Sequence, residues 1–344
     1  MDRKRKTKKI NLLDLFSGIG GFSLGVQQAN LDIGWHGYSE IDKFANELFK
    51  RRFEDAAELG SVTDISYKSL EGKRIDLLTG GFPCQAFSIA GKRRGFDDTR
   101  GTLFFEIARI LKDYIKNEQP IPCILLENVK GLLSHDNKRT FITIYKVLAD
   151  LNYTLECQVV NTRWFLPQNR ERIFIFGRYN GNPSGRKVFP VGKNDIKIGG
   201  TQTSNQIKTI GSIGKGEGAK VYDPSGISST IKAVGGGWGA KSGLYRVHNL
   251  QPRTPNRPSL KTQSGGSGAL SKKDGTTYCL EPHNLQAVEG VQPNIRRLTP
   301  VECERLQGFP DGWTEGQSDT QRYKQCANAV SVPVIKAIME KIYG

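Results

Sequence analysis

From Ile10 to Gly177 short apolar runs alternate with stretches of helical period. The runs are Ile10 to Leu15, Trp35 to Glu40, Ile75 to Gly80, Ile124 to Asn128, Tyr153 to Val160 and Arg172 to Gly177. Helical spacing occupies Gly21 to Ala29, Asp42 to Phe53, Thr102 to Tyr114 and Lys138 to Leu151. This rhythm predicts an α/β domain, a parallel sheet with helices on its faces.

Between residues 181 and 290 the pattern changes: 20 of the 39 glycines fall here and no long helical period survives. Lys and Arg number 15 there against 6 Asp and Glu, a balance of +9. The segment reads as a basic, loop-rich β module with a faint duplication, since Pro224 to Gln251 and Pro255 to Gln286 both end in His-Asn-Leu-Gln. Helical pattern returns at Thr299-Pro300-Val301-Glu302, a capping box with proline in the first turn, and again from Ser331 to Ile342. The expected division is a catalytic and cofactor-binding domain of residues 1–180 plus 291–344, interrupted by a recognition domain of residues 181–290.

Composition narrows the class. With 344 residues, 37% hydrophobic and 24% charged, the chain is neither wholly disordered nor fibrous. No apolar run approaches the roughly 18 residues that cross a bilayer, and the basic stretch Arg3 to Lys9 leads into no signal-type segment, so an intracellular protein is expected. Six cysteines lie far apart without a CxxC pair, which argues against a disulfide framework or a zinc site. The formal charge of +16 calls for a polyanionic partner, nucleic acid first.

Four motifs carry chemistry. Asp14-Leu15-Phe16-Ser17-Gly18-Ile19-Gly20-Gly21 joins the first strand to the first helix, where glycines let a ligand approach the backbone. Glu40 closes the second strand, a position from which a carboxylate can hold ribose hydroxyls. Ser23 stands where a dinucleotide fingerprint has its third glycine, so a single nucleoside-like cofactor is favoured, against the alternative of a tight turn without ligand. Gly80-Gly81-Phe82-Pro83-Cys84-Gln85 places a lone thiol in a rigid loop at a strand end, whereas the other five cysteines read as small core residues. Glu127 ends another strand, where a solvated or capping carboxylate is the plainer reading. Arg170 and Arg172 alternate on a strand and so point to one face, as ligands of an anion or base or as edge-strand surface charges. A thiol, a carboxyl and two guanidiniums beside a nucleoside-like site suit attack on position 6 of a pyrimidine, which makes position 5 nucleophilic.

With these motifs, and with Arg297-Leu298-Thr299-Pro300 and Arg305-Leu306-Gln307-Gly308-Phe309-Pro310 in the same order, the chain resembles the bacterial DNA (cytosine-5) methyltransferases of the monospecific type. The resemblance implies a Rossmann-like fold, S-adenosylmethionine as methyl donor and cytosine in a short site of double-stranded DNA as target. It implies Cys84 as nucleophile, Glu127 at ring nitrogen N3 and the exocyclic amine, Arg172 at the base carbonyl, and Arg170 holding the active-site loop and a phosphate. The cofactor would meet Phe16, Gly18, Gly20, Glu40, Asp64, Leu103 and Asn328. Ala327-Asn328-Ala329-Val330 departs from the family's usual Gly-Asn-Ser-Val, which affects fine cofactor contacts. A monomer in the bacterial cytoplasm, acting on nucleoid DNA in a restriction-modification system or as an orphan or phage enzyme, completes the expectation. The rivals are an RNA methyltransferase of the transfer-RNA branch and a catalytically silent DNA-binding protein.

Overall fold

The computed structural model describes residues 8–83, 103–181, 186–192 and 298–344 in full, and only the backbone of four short strands between residues 209 and 296. Two compact units emerge: Met1–Phe165, Glu171–Lys197 and Ala329–Gly344 form the first, and Leu166–Arg170 with Ile198–Asn328 the second. This division places residues 166–170 and 291–328 with the second unit and residues 181–197 with the first.

The first unit is built on seven strands: β1 (Lys8–Leu15), β2 (Leu31–Ser39), β3 (Ala57–Glu58), β4 (Leu77–Gly81), β5 (Cys123–Val129), β6 (Tyr153–Asn161) and β7 (Glu171–Tyr179). The helices of the chain are α1 (Gly21–Gln28), α2 (Lys43–Arg52), α3 (Leu103–Lys116), α4 (Arg139–Asp150), α5 (Pro300–Gln307), α6 (Asp319–Asn328) and α7 (Val332–Tyr343). Strand order is β3-β2-β1-β4-β5-β7-β6. Leu12, Leu13 and Leu15 of β1 are all fully buried, as expected of a central parallel strand covered on both faces. Leu13, Leu78, Leu126 and Ile175 face a core shared with Ile107 and Leu111 of α3 and Ile144 and Leu148 of α4. On the other face Leu12, Leu77, Leu125 and Phe174 meet Val26 of α1 and Ile335, Ile338 and Met339 of α7. α1 and α7 approach so closely that a Cβ on Gly25 would sit 2.5 Å from that of Ile335.

All six expected strands and the four helices between them are present, with ends shifted by a few residues. The sheet is not wholly parallel: β7 runs antiparallel to both β5 and β6. Residues 162–170 hold no crossover helix, and a chain that turns back so soon returns antiparallel. The capping box at Thr299 starts α5, with Thr299 N donating to Glu302 Oε2 at 2.7 Å and Glu302 N to Thr299 Oγ1 at 3.3 Å. α6 was not anticipated; its sequence, DTQRYKQCAN, has almost no apolar period.

In the second unit, β8 (Thr209–Ser212), β9 (Lys220–Tyr222), β10 (Leu244–Val247) and β11 (Asn294–Arg296) pair in the order β11-β10-β9-β8. The glycine clusters at 235–237 and 265–268 lie outside the described residues. In the same unit Glu304, wholly buried, accepts from Gly312 N at 2.7 Å, Thr314 N at 2.9 Å and Arg322 Nη2 at 3.2 Å, which fixes the turn after α5.

Candidate active site

In open α/β sheets ligands bind beyond the carboxyl ends of the strands, where the strand order reverses. Here that point lies between β1 and β4. The turn after β1 holds Phe16, Gly18 and Gly20 at φ of 54°, 55° and 84°, three left-handed residues in five. A Cβ at Gly18 would meet nothing within 4 Å, so the turn presents open backbone. Glu40, one residue past β2, binds that turn: its Oε2 accepts from Gly18 N at 2.8 Å, while Oε1 accepts from Ile41 N at 2.8 Å and Asp42 N at 2.7 Å. A carboxylate oxygen has two acceptor positions, so Oε2 keeps one for a ligand hydroxyl. Asp42 then caps α2, its Oδ1 accepting from Phe44 N and Ala45 N at 3.1 Å each.

Asp64 ends a 3-10 turn and is exposed. That loop is pinned by a residue not anticipated from sequence: Arg109 on α3 donates from Nη1 to Ile65 O at 2.7 Å and from Nη2 to Val62 O at 3.0 Å, with Glu106 on its Nε at 2.7 Å. The Glu106–Arg109 spacing on a helix was the available signal. Leu103, the first residue of α3, and Phe16 both lie partly buried against the same core. Ile41, directly after Glu40, is 77% exposed. Asn328 is exposed at the end of α6, in the second unit.

On the far side of β4, Gly81 pairs with Glu127 of β5, and a Cβ on Gly81 would come within 3.2 Å of Glu127 Oε2. The glycine thus leaves room for the carboxylate. Glu127 Oε1 meets Arg172 Nε from β7 at 3.0 Å, with the two side chains 13% and 18% exposed. Burial lowers the Arg172 pKa from its ordinary value, and the Glu127 charge opposes that shift. Asn128, buried, donates from Nδ2 to Phe82 O at 2.9 Å and so fixes the root of the loop that carries the thiol. Cys84 itself lies outside the described residues.

Arg170 differs from expectation. It precedes β7 rather than alternating on it, and at 2% exposure it has no surface for a phosphate. Its Nη1 instead donates to Ala327 O at 3.0 Å, at the end of α6, where helix carbonyls lack intrahelical partners. Among the other cysteines, Cys303 and Cys326 are buried, with burial pushing the Cys303 thiol up to about 12 and Cys326 well above its usual value. Cys157 is exposed rather than in the core, but partial burial still raises its pKa. None of these is a good thiolate. Among the described residues no group of acids, histidines and cysteines could hold a metal, and no helix is long and apolar enough to cross a membrane.

Beneath the turn lies a buried polar network. Burial raises the Asp14 carboxyl from 3.8 to about 7, with Glu40 adding to the shift and hydroxyls of Thr79 and Ser23 opposing it. Burial lowers His36 from 6.5 to about 4. Their stability contributions run oppositely. Asp14, with a raised folded value, contributes most below 3.8 and loses that contribution as pH rises to about 7; His36 contributes above 6.5 and loses it as pH falls to about 4. Wild type therefore has the two effects offset in the overlap. Asp14→Asn is expected to unmask His36, its melting temperature falling further than that of wild type between pH 6.5 and pH 4. A constant gap between the two melting curves over that range would refute the opposing pair.

The seven-stranded sheet, with its crevice at the reversal of strand order, defines a Rossmann-like α/β methyltransferase domain. The chain belongs to the C-5 cytosine-specific DNA methylase family, whose model matches residues 10–344, and is a DNA (cytosine-5) methyltransferase. It is 40% identical over 340 residues to the type II methyltransferase M1.ScrFI of Lactococcus lactis subsp. cremoris, covering 98% of this chain and 79% of that one. To M.HhaI of Haemophilus parahaemolyticus it is 30% identical over 361 residues, covering 97% and 94%. The orphan methyltransferase M.SPRI of Bacillus phage SPR is 30% identical, covering 97% of each chain. Among solved structures the S. pombe Dnmt2 methyltransferase superposes with a TM-score of 0.63 at 19% identity, covering 97% of this chain and 98% of that one, a likeness of fold.

Proposed function

We propose that the enzyme takes its methyl group from S-adenosylmethionine and delivers it to carbon 5 of a cytosine flipped out of double-stranded DNA at a short specific sequence. The observation that carries this is the gathering, at one end of one sheet, of the open turn, Glu40, the Glu127–Arg172 pair and the root of the Cys84 loop. The residues suit the cofactor: the open backbone at Gly18, the spare acceptor of Glu40, the partly buried Phe16 and Leu103 and the exposed Asp64 offer a nucleoside both apolar and polar contacts. Phe16 and Leu103 would flank the adenine, Asp64 its amino group, Glu40 the ribose, and Gly18 and Gly20 the remainder. Asn328 is assigned to the cofactor by resemblance alone.

When bound, S-adenosylmethionine supplies an electrophilic methyl group. The Cys84 thiolate adds to carbon 6 of the base while Glu127, carrying a proton, gives it to N3 where the charge develops, and Arg172 holds the base carbonyl. Arg170 serves indirectly, through the backbone at Ala327. Once carbon 5 carries the methyl group, the N3 proton would return to Glu127, the carbon 5 proton would pass to water and Cys84 would leave as thiolate, which restores the ring. A base stacked in a duplex cannot be reached this way, hence the flipping.

Labelled-methyl transfer to matched DNA and RNA, followed by bisulfite mapping, tests this; label in DNA alone at a fixed sequence is expected. Label in RNA alone selects the transfer-RNA reading, and DNA binding without label selects the silent binder. Sequence choice is assigned to residues 181–290, whose +9 balance suits phosphates and whose glycine-rich segments let backbone approach bases. Transplanting them into a relative of other specificity should transfer the site. Action as a monomer on nucleoid DNA, within a restriction-modification system or as an orphan, completes the reading.

A further inference from the structure

The turn that carries Phe16 is strained. A non-glycine residue in the left-handed region is strained and persists only where its surroundings over-determine it. Phe16, Gly18 and Gly20 all have positive φ, and backbone contacts hold the turn, among them Ser17 N to Ser39 O at 3.1 Å, Gly20 N to Ser17 O at 2.9 Å and Gly18 N to Glu40 Oε2 at 2.8 Å.

A second set of bonds lies directly below. Asp14 is the last polar residue before the turn and Ser23 the first after it; both are fully buried, and Ser23 Oγ donates to Asp14 Oδ2 at 2.8 Å. The chain entering the turn is thereby tied to the chain leaving it. Asp14 Oδ1 accepts from Thr79 Oγ1 of β4 at 2.7 Å, and Ser23 Oγ lies 2.9 Å from Nε2 of His36 on β2. Burial keeps His36 neutral, with one ring N–H. With Asp14 ionised, Ser23 gives its hydrogen to the carboxylate and the His36 ring hydrogen on Nε2 is donated to Ser23; with Asp14 protonated the same chain of bonds runs in the opposite sense. The His36 ring packs edge-on against Phe53 at 5.4 Å, and Phe53 lies under Gly20, where a Cβ would come within 2.3 Å of it. The circuit ends where it began, at the turn.

We propose that Asp14, Ser23 and His36 form a positioning relay that holds the cofactor turn in its strained shape. This explains why Ser23 replaces the third glycine of a dinucleotide fingerprint: the hydroxyl is the joint between β1, α1 and β2. The relay touches no substrate; it acts through Phe16, Gly18 and Glu40. The inference rests on the reading of that turn as the S-adenosylmethionine site.

The test is the affinity of the full-length enzyme for S-adenosylmethionine, measured by calorimetry without DNA, alongside kcat, KM and Tm. Ser23→Ala should raise Kd and KM for the cofactor about tenfold, roughly the worth of one buried hydrogen bond, with kcat at saturation within about twofold and DNA affinity unchanged. His36→Phe keeps a ring against Phe53 and loses the hydrogen-bond partner of Ser23; it should raise Kd about threefold. Added to Ser23→Ala it should do nothing more, because both break one chain. Wild-type affinity in either single variant, or losses that multiply in the double variant, overturns the relay. If Ser23→Ala does not fold, His36→Phe alone decides. Glu40→Ala separates the two readings: unchanged cofactor affinity in that variant refutes the cofactor site itself, whereas weakened affinity there with wild-type affinity in Ser23→Ala refutes only the relay.

Discussion

Cys84→Ser is expected to reduce methyl transfer below detection while leaving cofactor and DNA binding close to wild type. A thiol of ordinary pKa, about 8.5, is a few per cent thiolate at neutral pH and intrinsically nucleophilic; a serine hydroxyl supplies almost no anion. Cys84 is the only cysteine in the loop sequence, and burial raises the thiols of Cys303 and Cys326. The root of the loop is fixed independently of the thiol, by Asn128 on Phe82 O at 2.9 Å, so the substitution should not unseat it. A DNA duplex carrying 5-fluorocytosine at the target supplies the complementary measurement. Fluorine cannot depart as a proton does, so after methyl transfer wild-type enzyme should remain covalently attached and migrate as an adduct in denaturing gels. Normal turnover by Cys84→Ser, or no adduct with wild type, excludes the covalent route.

Much of the first unit was legible because the signals were local. The continuous apolar run of β1 reads as a strand buried on both faces, and Leu12, Leu13 and Leu15 are so. The glycines at 18 and 20 mark the turn between β1 and α1, and both adopt positive φ there. What escaped was non-local or weakly patterned. The antiparallel entry of β7 between β5 and β6 follows from a missing crossover helix, a sign that repetition of strand and helix earlier in the chain obscured. α6 is held by few buried residues, Gln325, Cys326 and Ala327, so no apolar stripe announces it.

The site was legible in residue type more than in role. Glu40 and Glu127 were found as acids at strand ends, but only the fold shows the first spent mostly on backbone N–H groups and the second facing Arg172. Arg170 lies one residue outside β7, so its alternation with Arg172 is not that of two residues on one strand. The left-handed Phe16 had no sequence mark at all, and the meaning of Ser23 required its two partners, nine and thirteen residues away, to be brought together by the sheet.

Glu127→Ala should lower kcat by about 10²–10⁴, the usual worth of a positioned acid–base group, while cofactor affinity changes little. The carboxylate and Arg172 are partners at 3.0 Å in a site largely closed to water, so their losses cannot be independent. Removing either leaves the other with an uncompensated charge and a freed rotamer, which costs more than the absent contact alone. Arg172→Ala is therefore expected to show a similar fall in kcat, and the double variant should fall well short of the product of the two. Glu127→Gln keeps the shape over Gly81 but presents a neutral amide to Arg172, and should lie between wild type and Glu127→Ala. Cofactor titration of each variant, together with thermal melting, separates lost chemistry from lost structure. Strict multiplicativity in the double variant would mean that Glu127 and Arg172 act on the base separately, and a matched rise in cofactor KM would place Glu127 in the cofactor pocket instead of at the cytosine.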